Sequence, residues 1–370
     1  MALSRVEESY LDELSDLVLL HARAQGITPA RCREVLARIH RPDGEGPGCW
    51  PTEWSAEAAG HAERGQYLTA CRYYNLARFP YPDGPARVRA ASACVQSFQQ
   101  WCAGQAGIHR WELPVAGGRV VCLVAGLSRE PRPLLLVSGG IVSIKEQWTP
   151  FLLAARRLGM AVVVAEMPSV GENTLRYGAS SWRMLPALLD GLAPRVAVEE
   201  VYAVAISFSG HLAIRAALED PRLRGVVTLG APVRSLFTDR SWWQRLPQTT
   251  TRTLAHLTGV PRTGLFEHLE ELALRDGQLA GLDIPVAYLA SARDEIIPRQ
   301  EWELLSRSVR RLDLMEFDDV HGSPGHLPDI RLWIARSLLR MRQCRAPVRA
   351  GLSALLGVRA ASRRALRWAS

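Results

Sequence analysis

Lysine is nearly missing from this 370-residue chain: of 45 basic residues only Lys145 is a lysine, a bias that fits a GC-rich coding preference better than selection for function. No uninterrupted apolar run reaches the roughly 18–20 residues that a bilayer-crossing helix needs, which excludes a helical membrane span. The opening stretch MALSRVEESYLDELSDL is too acidic and too broken to read as a secretory signal, so a cytoplasmic location is expected. The seven cysteines, at 32, 49, 71, 94, 102, 122 and 344, are odd in number and contain no C-x-x-C pair. Neither a disulfide framework nor a zinc site is therefore expected. A dinucleotide fingerprint, a phosphate-cradling glycine loop, a metal-ligand cluster, internal repeats and long low-complexity tracts are also lacking, and no cofactor is expected.

What is present is core-forming material, with 48% apolar and 22% charged residues, enough for one large or two modest domains. The net charge of +8 is unevenly distributed: ten arginines and no acid follow Asp329, leaving 35 basic against 37 acidic residues up to that point. A nearly neutral body argues against a specific nucleic-acid partner. The Arg-rich segment 341–370 carries Leu352, Leu355, Leu356 and Val358 near helical spacing. It reads either as an amphipathic basic helix for an anionic surface or partner, or as a C-terminal helix packed on the protein.

Residues 1–108 have helical periodicity, as in YLDELSDLVLLHARAQG, broken by the turn-rich RPDGEGPGCWP and YPDGP, and are expected to form a helical cap domain. From Trp111 the texture changes. WELPV and RVVCLVAGL flank Gly117 and Gly118 as a hairpin. PLLLVSGG, MAVVVAEMP, VEEVYAVAISFSG and RGVVTLGAP then alternate with helical stretches. Continuous apolar strands separated by helices specify a mostly parallel sheet covered on both faces, a three-layer α/β fold over 109–340. Residues 235–281 are helical and Trp-bearing, and interrupt the alternation as a lid insertion before IPVAYLASARDEIIP and LDLMEF resume it.

Three residues stand where this fold presents chemistry. Ser207 lies between an apolar strand and a helix in the context Ala205-Ile-Ser-Phe-Ser209-Gly210, a nucleophile elbow with Ala205 and Ser209 in place of the usual glycines. Asp294 leaves the strand IPVAYLASA, and His321 follows LDLMEF after a three-residue gap. The order Ser, Asp, His, each after a strand, is that of the α/β-hydrolases. His326 competes with His321 but begins the next helix, and Glu295, Asp318 and Asp319 compete with Asp294, although the orienting carboxylate should come from the earlier strand. In this scheme His321 takes the Ser207 proton and Asp294 holds the imidazole tautomer. The backbone N–H of Phe208 and that of Gly140 or Ile141 form an oxyanion hole; a plain strand-to-helix turn is the alternative for the Gly139–Gly140 pair.

On the SGG-x-x-S-x-KE stretch at 138–146, AEMPSVGEN at 165–173, the elbow at 205–210, PRLRGVVTLGAPV at 221–233 and the Asp294 and His321 loops, the chain resembles the FrsA-like (DUF1100-type) branch of the α/β-hydrolases over about 67–340. That branch includes C–C bond hydrolases of the pseudooxynicotine type and fungal hydrolases that shorten polyketide precursors. The resemblance implies a cavity between the helical cap and the core, a homodimer, and a serine-dependent hydrolase acting on an ester or activated C–C bond of a bulky apolar, polyketide-type metabolite. A lyase that expels acetate or water on the same scaffold, and a non-catalytic binding protein, are the alternatives. Val142 stands where many members carry an acid. Glu146 is implied as a substrate contact, the alternative being a solvated Lys–Glu pair on the next helix. Tyr73, Tyr74, Phe79, Trp182, Trp242 and Trp243 suit an apolar substrate as a group, whereas for any single one of them packing within the cap or lid core is the stronger reading.

Overall fold

The computed structural model describes residues 5–343 together with Gly351 and Leu356; the amphipathic reading of the C-terminal segment falls outside the described residues. Five helices come first: α1 (Arg5–Ala24), α2 (Pro29–Leu36), α3 (Trp50–Glu63), α4 (Tyr67–Ala77) and α5 (Gly84–Ala103). Each turns an apolar stripe inward at helical spacing. Tyr10, Leu14, Val18 and Ala22 bury one face of α1, and Trp50, Trp54 and Ala58 one face of α3. Helix α2 starts cleanly because Thr28 accepts the Arg31 N–H at 3.3 Å and Pro29 holds the first helical position.

The chain then alternates as β1 (Ile108–Val115), β2 (Gly118–Ala125), β3 (Leu134–Ser138), α6 (Thr149–Leu158), β4 (Ala161–Ala165), α7 (Met184–Leu192), β5 (Val201–Ala205), α8 (Phe208–Ala217) and β6 (Leu223–Leu229). Five short helices follow, α9 (Ser235–Thr238), α10 (Arg240–Trp243), α11 (Gln248–Thr258), α12 (Leu265–Glu270) and α13 (Asp276–Ala280). The sheet resumes with β7 (Val286–Ser291), α14 (Gln300–Ser308), β8 (Leu312–Phe317) and α15 (Leu327–Met341). The eight strands form one sheet in the order β1-β2-β4-β3-β5-β6-β7-β8, antiparallel across β1-β2-β4 and parallel from β4 to β8. Every residue of β3, β4 and β5 is buried, as strands covered on both faces must be. The hairpin turn is Ala116–Gly117, and Gly118 is already the first residue of β2. A side chain at 118 would meet Thr174 Oγ1 at 2.5 Å, which is why a second glycine follows the one in the turn.

The topology fixes where a site opens. From β3 the chain moves outward to β4, then crosses back to β5 on the other side of β3, which makes the carboxyl ends of β3 and β5 the switch point at which open α/β sheets place their ligand sites. Ser138 pairs with Ala205, which brings Gly139–Gly140 and Ile206–Ser207 out of the sheet side by side. Ser291 pairs with Phe317, so Asp294 and His321 leave β7 and β8 at the same level. Above this edge the N-terminal helices and the 235–281 helices touch each other. Glu13 of α1 accepts the Gln248 and Thr249 amides at the start of α11 at 2.9 and 2.5 Å, Arg252 lies 3.9 Å over the Tyr10 ring, and Tyr81 stacks on His256 at 4.4 Å.

Candidate active site

Ser207 ends the tight turn from β5 into α8 with φ 59° and ψ −130°. This conformation costs a non-glycine residue about 1–3 kcal/mol. The turn is held by hydrogen bonds from the Ser207 amide to Leu229 O (2.8 Å) and the Ile206 amide to Ser138 O (3.0 Å). The Ser209 hydroxyl reaches both Ser138 O and Ile206 O at 2.9 Å, so the serine in a customary glycine position ties the elbow to β3. Gly210 has to be bare, since a Cβ there would meet Thr228 Oγ1 at 2.1 Å and Ala231 Cβ at 2.7 Å.

The structure brings Ser207, His321 and Asp294 into one hydrogen-bonded series. His321 Nε2 is 3.0 Å from Ser207 Oγ, and His321 Nδ1 is 2.9 Å from Asp294 Oδ2 and 3.0 Å from Oδ1. Asp294 Oδ1 also accepts the Ile296 and Ile297 amides at 3.0 and 2.8 Å, which locks the carboxylate. Burial disfavours a charged His321, but Asp294 and then Glu295 outweigh it and raise the imidazole above its ordinary value. Gly230, at φ 56°, runs beneath the pair: a Cβ there would lie 2.8 Å from His321 Cε1 and 3.3 Å from Asp294 Oδ2.

The competing residues are engaged elsewhere. His326 stands immediately before α15 and stacks face to face on Phe317 at 4.3 Å. Glu295 accepts the His321 amide at 3.0 Å, Asp318 pairs with Arg293, and Asp319 accepts the Val320 and Gly325 amides. On the β3 side, the Cβ position of Gly140 lies 3.0 Å from Ser207 Cβ, and Ile141 is buried beside it. Among the described residues the amides of Gly140, Ile141 and Phe208 meet no acceptor. A hydroxyl bonded to an imidazole whose other nitrogen faces a carboxylate, beside free amides, is the arrangement that general-base activation of the hydroxyl requires.

The aromatic expectations divide. Tyr73 is spent in the core of the N-terminal helices, stacked on His61 and tilted against Trp54, because its position on α4 faces α3. Tyr74 is half-buried where that core meets the core of the sheet. The Trp182 ring carries the guanidinium groups of Arg183 and Arg215 at 5.4 and 4.3 Å. Trp243 packs edge-on against Phe266 within the 235–281 helices. Trp242 is tied to the Asp294 loop, its indole N–H donating to Ile296 O at 2.8 Å.

Glu146 and Lys145 are not a solvated pair, since both are buried. Lys145 Nζ lies 2.8 Å from Glu146, 3.4 Å from Glu166 and 2.7 Å from Glu172, whose other oxygen pairs with Arg110 at 2.7 Å. Burial first, and then the negative charge of Glu146, push the Glu166 carboxyl up; Lys145 opposes them. Sequence reasoning missed this cluster, and the available signal was the survival of a single lysine in a chain that otherwise uses arginine. His21 was missed as well. It stacks on Phe79 at 4.9 Å, and burial, with the nearby positive charges of Arg78 and His321, lowers it to about 4.

A strained serine after a central parallel strand, answered by histidine and aspartate from the two outer strands, defines the α/β-hydrolase class of enzymes. The sequence matches the family described as Esterase FrsA-like over residues 49–311, and the chain belongs to that family. Esterase FrsA of Pectobacterium atrosepticum is 26% identical over 332 residues, 79% of each chain. Esterase FrsA of Salmonella schwarzengrund is 26% identical over 355 residues, 85% of this chain and 86% of that one. Among solved structures, AbyA5 is 47% identical with a TM-score of 0.89, covering 94% of this chain and 98% of its own. The 2,6-dihydroxy-pseudo-oxynicotine hydrolase is similar in fold, with a TM-score of 0.69 at 19% identity over 87% and 96% of the two chains.

Proposed function

We propose that the protein is a serine-dependent hydrolase in which Ser207 is the nucleophile, His321 the general base and Asp294 the residue that orients it. The observation that carries this reading is the continuous series from Ser207 Oγ through both nitrogens of His321 to Asp294, with 3.0 and 2.9 Å contacts. Ser207 attacks the substrate carbonyl as its proton passes to His321 Nε2. The oxyanion is received by the Phe208 amide and by that of Gly140 or Ile141. His321 then returns the proton to the leaving group, and water releases the acyl enzyme by the same steps. The substrate class is an ester or activated C–C bond in a bulky apolar, polyketide-type metabolite. Family membership and the joined helices above the sheet edge support it. Turnover in ¹⁸O-labelled water tests the bond-breaking step: hydrolysis leaves label in the acyl product, whereas an alkene product without label would replace hydrolysis by elimination.

Because the base must be neutral and Asp294 raises its affinity for a proton, kcat/KM for a p-nitrophenyl ester should fall on the acid side with a midpoint above 6.5, the ordinary value for histidine. Activity rises through that midpoint as pH increases. A midpoint near 4 would instead point to a base other than His321.

A further inference from the structure

Arg78 is a buried guanidinium used by no step above. It stands just beyond α4, 2% exposed, and its hydrogen-bond partners are neutral oxygens. Nε and Nη2 donate to Asn75 Oδ1 at 2.8 and 2.6 Å, Nη1 to Pro80 O at 3.0 Å, and Nη2 also to Val142 O at 2.5 Å. Asn75 is held in turn by its Nδ2 donating to Gln25 Oε1 of the segment after α1, at 2.9 Å. Val142 belongs to the loop after β3, two residues beyond Gly140, and its side chain packs against both hydrophobic cores.

Apart from its buried side chains, that loop is held by few hydrogen bonds, one of them from the Ile144 amide to Gln147 Oε1 at 2.8 Å. Its far end is fixed where the Lys145 amide donates to Glu166 at 3.1 Å, and within it the Ser143 amide donates to Gly140 O at 3.0 Å. Among the described residues, Arg78 is the one side chain from outside the loop that hydrogen-bonds to residues 139–142. A buried cation with no carboxylate partner in hydrogen-bond range is costly to retain. Its planar fork, however, suits three acceptors at fixed angles in a way an ammonium cannot match.

We propose that Arg78 is a positioning residue: by clamping the Val142 carbonyl to the N-terminal helices it holds the Gly140 and Ile141 amides at the distance from Ser207 that an oxyanion needs. The inference rests on the serine mechanism proposed above. It makes the N-terminal helices part of the catalytic apparatus rather than only a cover.

The test compares wild type with Arg78→Met, Arg78→Lys and Asn75→Ala, each checked for folding by circular dichroism. Steady-state hydrolysis of p-nitrophenyl acetate is measured across pH, with the rate of fluorophosphonate inactivation. Misplacing an oxyanion donor costs about 10²-fold in kcat. Arg78→Met should show that loss in kcat and in inactivation rate, with KM within about threefold and the acid-limb midpoint unmoved, since the Ser207 series itself is intact. Arg78→Lys should remain at least about tenfold impaired, and Asn75→Ala should lose about tenfold, because each loosens the fork. A folded Arg78→Met within threefold of wild type, full activity in Arg78→Lys, or a shifted limb would overturn the proposal, the last two by assigning the effect to charge. Should Arg78→Met fail to fold, an unimpaired Asn75→Ala overturns it. A wild type that neither turns over nor takes the label removes the serine mechanism instead, a result distinct from any of these.

Discussion

Asp294→Asn is expected to cut kcat about 10⁴-fold while Ser207 and His321 stay where they are. The reason lies in the two amides on Asp294 Oδ1. Ile296 and Ile297 donate to that oxygen, so an asparagine must keep its carbonyl there and turn its NH₂ toward His321 Nδ1, 2.9 Å from Oδ2. A donor at that position forces His321 to accept at Nδ1 and carry its proton on Nε2, the nitrogen that takes the proton from Ser207 in the proposed mechanism. The variant should therefore fold normally and be nearly inert in p-nitrophenyl ester hydrolysis at neutral pH. A loss below tenfold would mean that His321 is not oriented by this carboxylate.

The second large effect concerns stability. Lys145→Met removes the one cation that, among the described residues, touches Glu146, Glu166 and Glu172 together, leaving the buried Glu146 and Glu166 without a counter-ion while Glu172 keeps Arg110. Breaking a buried pair from one side costs about 3–5 kcal/mol, to be read from urea unfolding with coincident fluorescence and circular-dichroism transitions. The loss should depend on pH in a stated direction. Burial already raises Glu166, and losing Lys145 raises it further. A carboxyl whose folded value is raised stabilises fully below its unfolded value, and that stability is lost as pH climbs through the folded one. The variant should thus be weaker at pH 8 than at pH 5.5. A loss under about 1 kcal/mol at both pH values would show that the cluster relaxes or hydrates readily.

The parts of the fold that depend on local pattern were readable from the residues. Unbroken apolar runs such as AVVVA and VYAVA mark strands buried on both faces, and the helical stretches between them require parallel connections. The spacing of Asp294 after Ser291 and of His321 after Phe317 is also local, and it needs only the register of β7 against β8 to bring the two side chains together. The cluster around Lys145 was not readable, because Glu166 and Glu172 reach it only after the loops following β3 and β4 fold against each other. Gly171 records that closeness, since a Cβ there would lie 1.9 Å from Glu166 Oε1. The role of Tyr73 was hidden for a similar reason: an aromatic on a cap helix faces either its neighbouring helices or a ligand, and the choice depends on the packing of α3 against α4. Arg78 gave no signal among so many arginines, since its distinction is the acceptors around it.

The central claim is an activated Ser207, and intact-mass analysis after treatment with a fluorophosphonate tests it most directly, using the full chain and Ser207→Ala. The account predicts one adduct per wild-type chain and none on the variant. A folded wild type that takes no label, or a Ser207→Ala chain labelled as readily as wild type, would contradict it.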